Sequence, residues 1–263
     1  DITANQNVSE MYEAYLRQNI AVVTCNKISC ASSSENYNTL KKVSRKSNVS
    51  FLYETNVGAG LPIIDTLKNL IASGDRVHKI QAVLSGSLNF VFNKFDESST
   101  FSAVVKQAAT EGYTEPDPKI DLSGIDVARK ILILARESGF DLELEDIENN
   151  SFLSKESLDT NNNADFYLSL EKHESQFQQL FLESKVNNCR LKYVAEFKDG
   201  KAKVGLQQIN PSHSFYNLEG SDNIVLFYTD RYSEQPLIIK GAGAGAEVTA
   251  SGIFADVIRT GNL

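Results

Sequence analysis

The stretch that most limits the folds open to this chain runs from 111 to 135: EGYTEPDPKIDLSGIDVARK followed by ILILA. Pro116 and Pro118 fix their own φ angles and push Glu115 and Asp117 out of the helical region, so the segment before Gly124 is expected to be an extended, stiff loop. From Gly124 onward the pattern turns helical, and Val127, Ala128, Ile131, Leu132, Ile133, Leu134 and Ala135 make the helix apolar nearly all round. A helix of that kind is a buried one. Asp126 and Lys130 are four apart and share a face one turn apart. On a buried helix such charges are drawn partly out of water, where they need partners or a task. The same residues also fit a plainer reading, with Ser123 as N-cap, Asp126 reaching back in a capping box, and an ordinary surface ion pair.

Composition narrows the class of function. The chain has 263 residues, 41% hydrophobic and 23% charged, which is enough for a substantial core and one or two domains. A net charge of −8 with scattered lysines argues against a nucleic-acid partner or an acidic membrane surface. No apolar run approaches the roughly 20 residues of a membrane span. Three cysteines (Cys25, Cys30, Cys189) without metal or CxxC spacing point to a reduced, cytoplasmic setting. His78, His173 and His213 lie in unlike contexts and suggest neither a metal site nor a catalytic triad.

Taken in order, residues 8–18 form an amphipathic helix pattern and 20–24 a short apolar strand, the second half of a wound α/β unit. The loop Cys25-Asn26-Lys27 follows, then serines able to cap a helix over 35–45. Lys27 just past a strand's carboxyl end lies where open α/β sheets bind ligands, though a lone loop lysine is more often simply solvated. Strand 49–54 leads into the turn TNVGAGLP and a helix over 63–72. Such a turn can aim carbonyls at a hard cation or be no more than a tight connection. Residues 77–84 read as a strand, Ser85-Gly86-Ser87 opens a helix to 95, and 101–111 is a further helix. Free N–H groups at that serine-rich start can hold a carboxylate, and capping alone would explain them equally well.

Residues 143–165 read as a polar loop or insertion with short helical pieces, followed by a helix over 171–184. Beyond it come strands at 190–197 and 202–209, joined by a Lys198-Asp199-Gly200 turn, and at 223–229 and 236–240. The sheet is therefore expected to be mostly antiparallel. Gly241, Gly243 and Ala246 formally meet the GxGxx(G/A) dinucleotide pattern ahead of a helix to about 259. Too little chain follows for a returning strand and the ribose-binding acid expected about 20 residues on, so this is not a primary Rossmann fingerprint.

The run YTEPDP followed by DLSGIDVARK, long and rich in uncommon residues, resembles the signature of homoserine dehydrogenases. Lys119-Ile120-Asp121 stands where that family usually has a basic residue and two aspartates, so only Asp121 of the pair is available. The resemblance extends over almost the whole chain and implies NAD(P)-dependent interconversion of L-homoserine and L-aspartate 4-semialdehyde, in threonine, methionine and isoleucine biosynthesis. It implies Lys130 as the acid/base group, with Lys27 assisting and also reaching the cofactor. Gly86, Ser87, Gly112, Tyr113, Glu115, Asp121 and Asp126 would line the substrate pocket. Thr3, Cys25 (where proline is common) and Gly245 would touch NADP or NAD, and Glu54, Val57, Ala59 and Leu61 would offer carbonyls to a monovalent cation, usually sodium.

The expected architecture is α/β (α+β). Residues 1–60 would be the C-terminal half of a Rossmann-type nucleotide-binding domain. Residues 61–235 would form a substrate-binding, catalytic and dimerisation domain with a mostly antiparallel mixed sheet covered by helices, and 236–263 a segment returning to the first domain. The opening Asp1-Ile2-Thr3-Ala4 suggests a fragment beginning in mid-fold, which would bind dinucleotide weakly and lack activity by itself. Local choices such as Ser85-Gly86-Ser87-Leu88 resemble bifunctional enzymes with an upstream aspartokinase, and a homodimer or higher homo-oligomer is expected. The competing reading is a non-catalytic module that uses its acidic loop for a small cation or a partner.

Overall fold

The structure, a computed structural model, describes residues 1–261; the last two residues of the expected return segment lie outside the described residues. The chain opens with helices α1 (Gln6–Glu10) and α2 (Tyr12–Arg17). The single helix expected over 8–18 is broken at Met11, which serves as C-cap of one piece and N-cap of the other. Strand β1 (Val22–Val23), helix α3 (Ser34–Ser47) and strand β2 (Phe51–Leu52) follow, and the two strands pair in parallel, Val22 with Phe51. This is the wound unit anticipated from the sequence. Ser33 caps α3 by accepting the Asn36 N–H, and Asn48 ends it in the left-handed region at φ 49°.

Helix α4 (Ile63–Ala72) leads to β3 (Val77–Val83), α5 (Gly86–Lys94), α6 (Phe101–Thr110), α7 (Pro118–Leu122) and α8 (Ile125–Glu137). The loop before α8 is thus not extended throughout. Asp117 is extended, as a residue before proline must be, but Pro118 then serves as the first residue of α7, where its missing N–H costs nothing. The capping box is also absent. Gly124, in the left-handed region at φ 76°, is the N-cap of α8, and the Ser123 hydroxyl donates to the Ile120 carbonyl. A Cβ at Gly124 would run into the Tyr193 hydroxyl, so only glycine fits this corner.

The segment expected to be a polar insertion holds a strand, β4 (Ile147–Asn150), and two helices, α9 (Lys155–Leu158) and α10 (Asn163–Lys172). Helix α11 (Glu174–Val186) begins after a break at His173, so the helix expected over 171–184 straddles two. Strands β5 (Arg190–Lys198), β6 (Lys201–Ile209), β7 (Asp222–Thr229) and β8 (Leu237–Ala242) and the terminal helix α12 (Ala246–Gly261) complete the order.

Six strands form one sheet in the order β4-β6-β5-β3-β7-β8, antiparallel at every pairing except β4 with β6. Helix α8 packs against β5 and β6, burying Ile131, Leu132, Ile133 and Leu134 completely. Each such side chain contributes about 1.5–3 kcal/mol of transfer free energy. Helix α12 lies against β1 and the short turn Glu54–Asn56, which closes the first unit onto the chain's end. On the sheet's other side, Lys192 is fully buried. Its Nζ donates to Asn89 Oδ1, Asn93 Oδ1 and the Leu218 carbonyl, pinning α5 and the loop before β7 to β5, and burial pushes its pKa down to about 8.

Candidate active site

The first turn of α8, the carboxyl end of β3 and the loop after β1 meet at one place. Lys130 Nζ donates to the Leu84 carbonyl at 2.7 Å and lies 2.7 Å from Asp126 Oδ2, with its side chain 12% exposed. Asp126 Oδ1 faces Lys27 Nζ at 3.4 Å. The Asp126/Lys130 pair is therefore no ordinary surface pair: a second lysine arrives from about a hundred residues earlier in the chain, and the carboxylate bridges both. An ammonium has three N–H bonds, and two of those on Lys130 are occupied. The third position is available to a hydroxyl.

Asp121 stands beside this group. Its Oδ1 accepts from the Ser87 hydroxyl at 3.0 Å and its Oδ2 from the Glu115 backbone N–H at 2.8 Å. Ser85 and Ser87 place their hydroxyl oxygens 3.0 Å apart, and Ser85 caps α5 by accepting the Leu88 N–H. Sequence reasoning left the serine-rich helix start open between capping and binding; here the two tasks are divided, Ser85 capping and Ser87 turned to Asp121. Tyr113 stacks on Phe90 with ring centroids 4.1 Å apart, and Gly112, at φ 77°, turns the chain out of α6 toward it. Glu115 is exposed and enters the group through its backbone, which ties the acidic loop to Asp121. Gly86 sits in a tight place against Ser221 and Ala244. The Leu84 carbonyl, which holds Lys130, had no signature in the sequence, because any residue supplies one.

The charges disturb one another. Burial pushes the Asp126 carboxyl upward, but the ammoniums of Lys130 and Lys27 outweigh it and hold its pKa well below the usual carboxylate range. For Lys130 burial is the larger effect and lowers its pKa; Asp126 opposes it and Lys27 adds to it. Burial raises that of Asp121, against the pull of its hydrogen bonds from Glu115 and Ser87. The sign for stability follows from the first of these. A carboxyl with a depressed folded pKa contributes stability that is complete above its unfolded value of about 3.9 and is lost as the pH falls below it. In Asp126→Asn that loss should disappear. Urea unfolding at pH values of about 6 and 3 should show a smaller acid-side drop for the variant than for the unsubstituted protein.

Of the residues expected at a dinucleotide, Cys25 follows β1 and Thr3 lies in the opening segment bonded to it. The Cys25 N–H donates to the Asp1 carbonyl at 3.1 Å, and Thr3 Oγ1 accepts the Asn5 N–H at 3.1 Å. In the amide orientation that satisfies both its ends, Asn56 donates to the carbonyls of Thr24 and Cys25, a support the sequence did not disclose. Gly245 has φ 118°, which only glycine adopts readily, whereas Gly241 and Gly243 are crowded by Leu61 and Asn223. The spacing of those two is thus explained by close packing. Asn223 Nδ2 donates to the Gly243 carbonyl, and among the described residues its buried Oδ1 has no partner.

The expected cation loop is sharply reversed, with φ of 76° at Gly58 and 53° at Ala59. The Glu54 and Leu61 carbonyls already accept from the N–H groups of Val57 and Ile63, at 3.4 and 2.8 Å, each keeping a second lone pair. The Glu54 side chain caps α4 through the Ile64 and Asp65 N–H groups, and burial followed by the Asp65 charge raises its pKa to about 7. The histidines form no cluster, and no group of three or more His, Cys, Asp or Glu suited to a metal occurs among the described residues. No helix among them is long and apolar enough to cross a membrane.

Comparison with known proteins identifies the family. The sequence profile of the family described as Homoserine dehydrogenase matches residues 62–258. A bifunctional aspartokinase/homoserine dehydrogenase from Haemophilus influenzae is 42% identical over 260 residues, covering 99% of this chain and 32% of its own length. A homoserine dehydrogenase from Schizosaccharomyces pombe is 39% identical over 267 residues, covering 98% of this chain and 71% of its own. A hyperthermophilic archaeal homoserine dehydrogenase mutant, solved in complex with NADPH, superposes with a TM-score of 0.76 at 27% identity, covering 100% of this chain and 70% of its own. The chain spans about a third of the length of the bifunctional relative.

Proposed function

The chain belongs to the homoserine dehydrogenase family, and on that premise we propose that its site interconverts L-homoserine and L-aspartate 4-semialdehyde with Lys130 as the acid/base group. The observation that carries the proposal is the placement of Lys130 Nζ, sheltered and held at two of its three positions by Leu84 O and Asp126. In the oxidising direction a neutral Lys130 takes the hydroxyl proton as the alcohol carbon gives up hydride. Burial, which lowers the lysine's pKa, favours that neutral form. In the reverse direction the ammonium returns the proton to the aldehyde oxygen. Lys27 adds a positive charge beside that oxygen, and Asp126 keeps the two lysines together. Asp121 and Glu115 suit the substrate's ammonium, with Ser87 orienting Asp121, and Gly86, Gly112 and Tyr113 shape the pocket.

A bound NADP or NAD supplies the hydride acceptor. Thr3, Cys25, Lys27 and Gly245 are the residues that would hold it, a reading supported by the NADPH complex of the archaeal relative. Val57 and Ala59, with Glu54 and Leu61, would offer carbonyls to sodium. A homodimer or larger homo-oligomer and an aspartokinase segment upstream belong to the same proposal, the latter supported by the bifunctional relative's name. Three free cysteines favour a cytoplasmic setting. The proposed reaction would belong to threonine, methionine and isoleucine biosynthesis.

The test is direct. NADPH consumption should depend on L-aspartate 4-semialdehyde, and NADP reduction on L-homoserine. Turnover with neither substrate, together with no calorimetric binding of L-homoserine, would refute the proposal.

A further inference from the structure

A second charged group lies away from the proposed reaction, in a cavity of about 410 Å³ between α3, β2, α4 and the last turn of α8. Its charged lining is Lys41, Arg45, Lys68 and Glu137, three cations around one carboxylate in a chain whose net charge is −8. Glu137 is already committed. It accepts from the hydroxyls of Tyr37 and Tyr53 and from Lys41 Nζ, at 3.0 and 3.1 Å to its two oxygens. Lys41 is thereby paired, whereas among the described residues neither Arg45 nor Lys68 has a carboxylate within ion-pair distance. Lys68 Nζ instead lies over the Tyr53 ring at 4.5 Å, and Lys41 over the same ring at 5.3 Å. Two ammoniums thus lie over one aromatic ring, and only one of them is paired with a carboxylate.

Burial lowers the Lys41 pKa, Glu137 resists this, and the Lys68 charge adds to the lowering. The rest of the lining is Ser44, whose hydroxyl donates to the Val49 carbonyl, with the apolar Phe51, Ile71 and Ala72, of which Phe51 is buried. Exposed lysines are usually just solvated. Here they converge on a preformed concavity of ligand size whose walls are fixed by the buried Tyr53 and Glu137.

We infer that this cavity binds a small aliphatic dianion of the dicarboxylate class, its two charged ends on Lys41/Lys68 and on Arg45 and its hydrocarbon middle on Phe51 and Ile71. Arginine is suited to take a carboxylate with two parallel hydrogen bonds, and an alkyl chain between two anionic ends suits a cavity lined by Phe51, Ile71 and Ala72 as well as by the cations. None of these side chains belongs to the reaction site, so the inference stands or falls separately from the proposed activity.

Titration calorimetry with succinate at constant ionic strength tests it, with inorganic phosphate as the compact alternative and sodium chloride as the screening control. Saturable succinate binding is expected below roughly 10 mM. It should weaken by about tenfold or more in the double variant Arg45→Gln, Lys68→Gln, since charged hydrogen bonds are removed. Saturating L-homoserine should leave it unchanged, and the double variant should keep a cooperative urea unfolding transition like that of the unsubstituted protein, which shows that it has folded. Absence of saturable binding, phosphate binding more tightly than succinate, competition by L-homoserine, or equal affinity in the double variant would each overturn the inference.

Discussion

Replacing Lys130 with alanine is expected to lower kcat by about 10²-fold or more, the usual scale for a positioned acid/base group. The loss should fall on kcat more than on KM, because the groups assigned to the substrate's ammonium, Asp121 and Glu115, are untouched. Lys27 would stay beside Asp126 but lies on the far oxygen of that carboxylate, 3.4 Å away, and cannot take the place at Leu84. Lys130→Met, which keeps the volume but not the amine, should fall as far as alanine; its unfolding midpoint separates lost chemistry from lost folding. Lys130→Arg should not rescue, since a guanidinium stays charged throughout the working pH range. A near-normal kcat in the methionine variant would remove the assignment.

Gly124→Ala is expected to destabilise the protein by about 2–5 kcal/mol. The left-handed backbone accounts for about 1–2 kcal/mol of this, and the remainder is overpacking against Tyr193. The corner joins several elements. The Tyr193 hydroxyl donates to Asn149 Oδ1 at 2.9 Å, and Asn149 Nδ2 donates to the Ser123 carbonyl at 2.9 Å, so β5 and β4 hold the turn that sets Asp121 and Asp126 either side of it. Urea unfolding of Gly124→Ala, Tyr193→Phe and the double variant checks the mechanism. Removing the hydroxyl should relieve part of the clash, making the double variant less destabilised than the sum of the singles. Full additivity, or a single-variant loss within about 0.5 kcal/mol, would show that the corner has room.

Regular periodicity was legible wherever one face or the whole surface of an element is apolar. Helix α8, the β5/β6 hairpin and helix α4 lie where the residue pattern puts them, because burial selects the same residues that reveal the period. Strand β4 was illegible for the opposite reason. Ile147-Glu148-Asn149-Asn150 is a polar edge strand whose pairing partner, β6, comes some fifty residues later and runs parallel to it. Ser123 drew the helix cap away from Gly124 because serine is the common N-cap. The clash that demands glycine comes from Tyr193, which is remote in sequence.

By itself the sequence determined the family and the α/β character with its antiparallel half, and it named the residue types of the candidate site, since those depend on local order and on an uncommon run of acids, prolines and glycines. Only the tertiary structure decided which charges meet. Whether Asp126 pairs with Lys130 alone or also with Lys27, which carbonyl holds Lys130, and where Lys41, Arg45 and Lys68 gather are matters of chain crossing. Distance and burial set the strength of such encounters, and neither is a property of neighbouring letters.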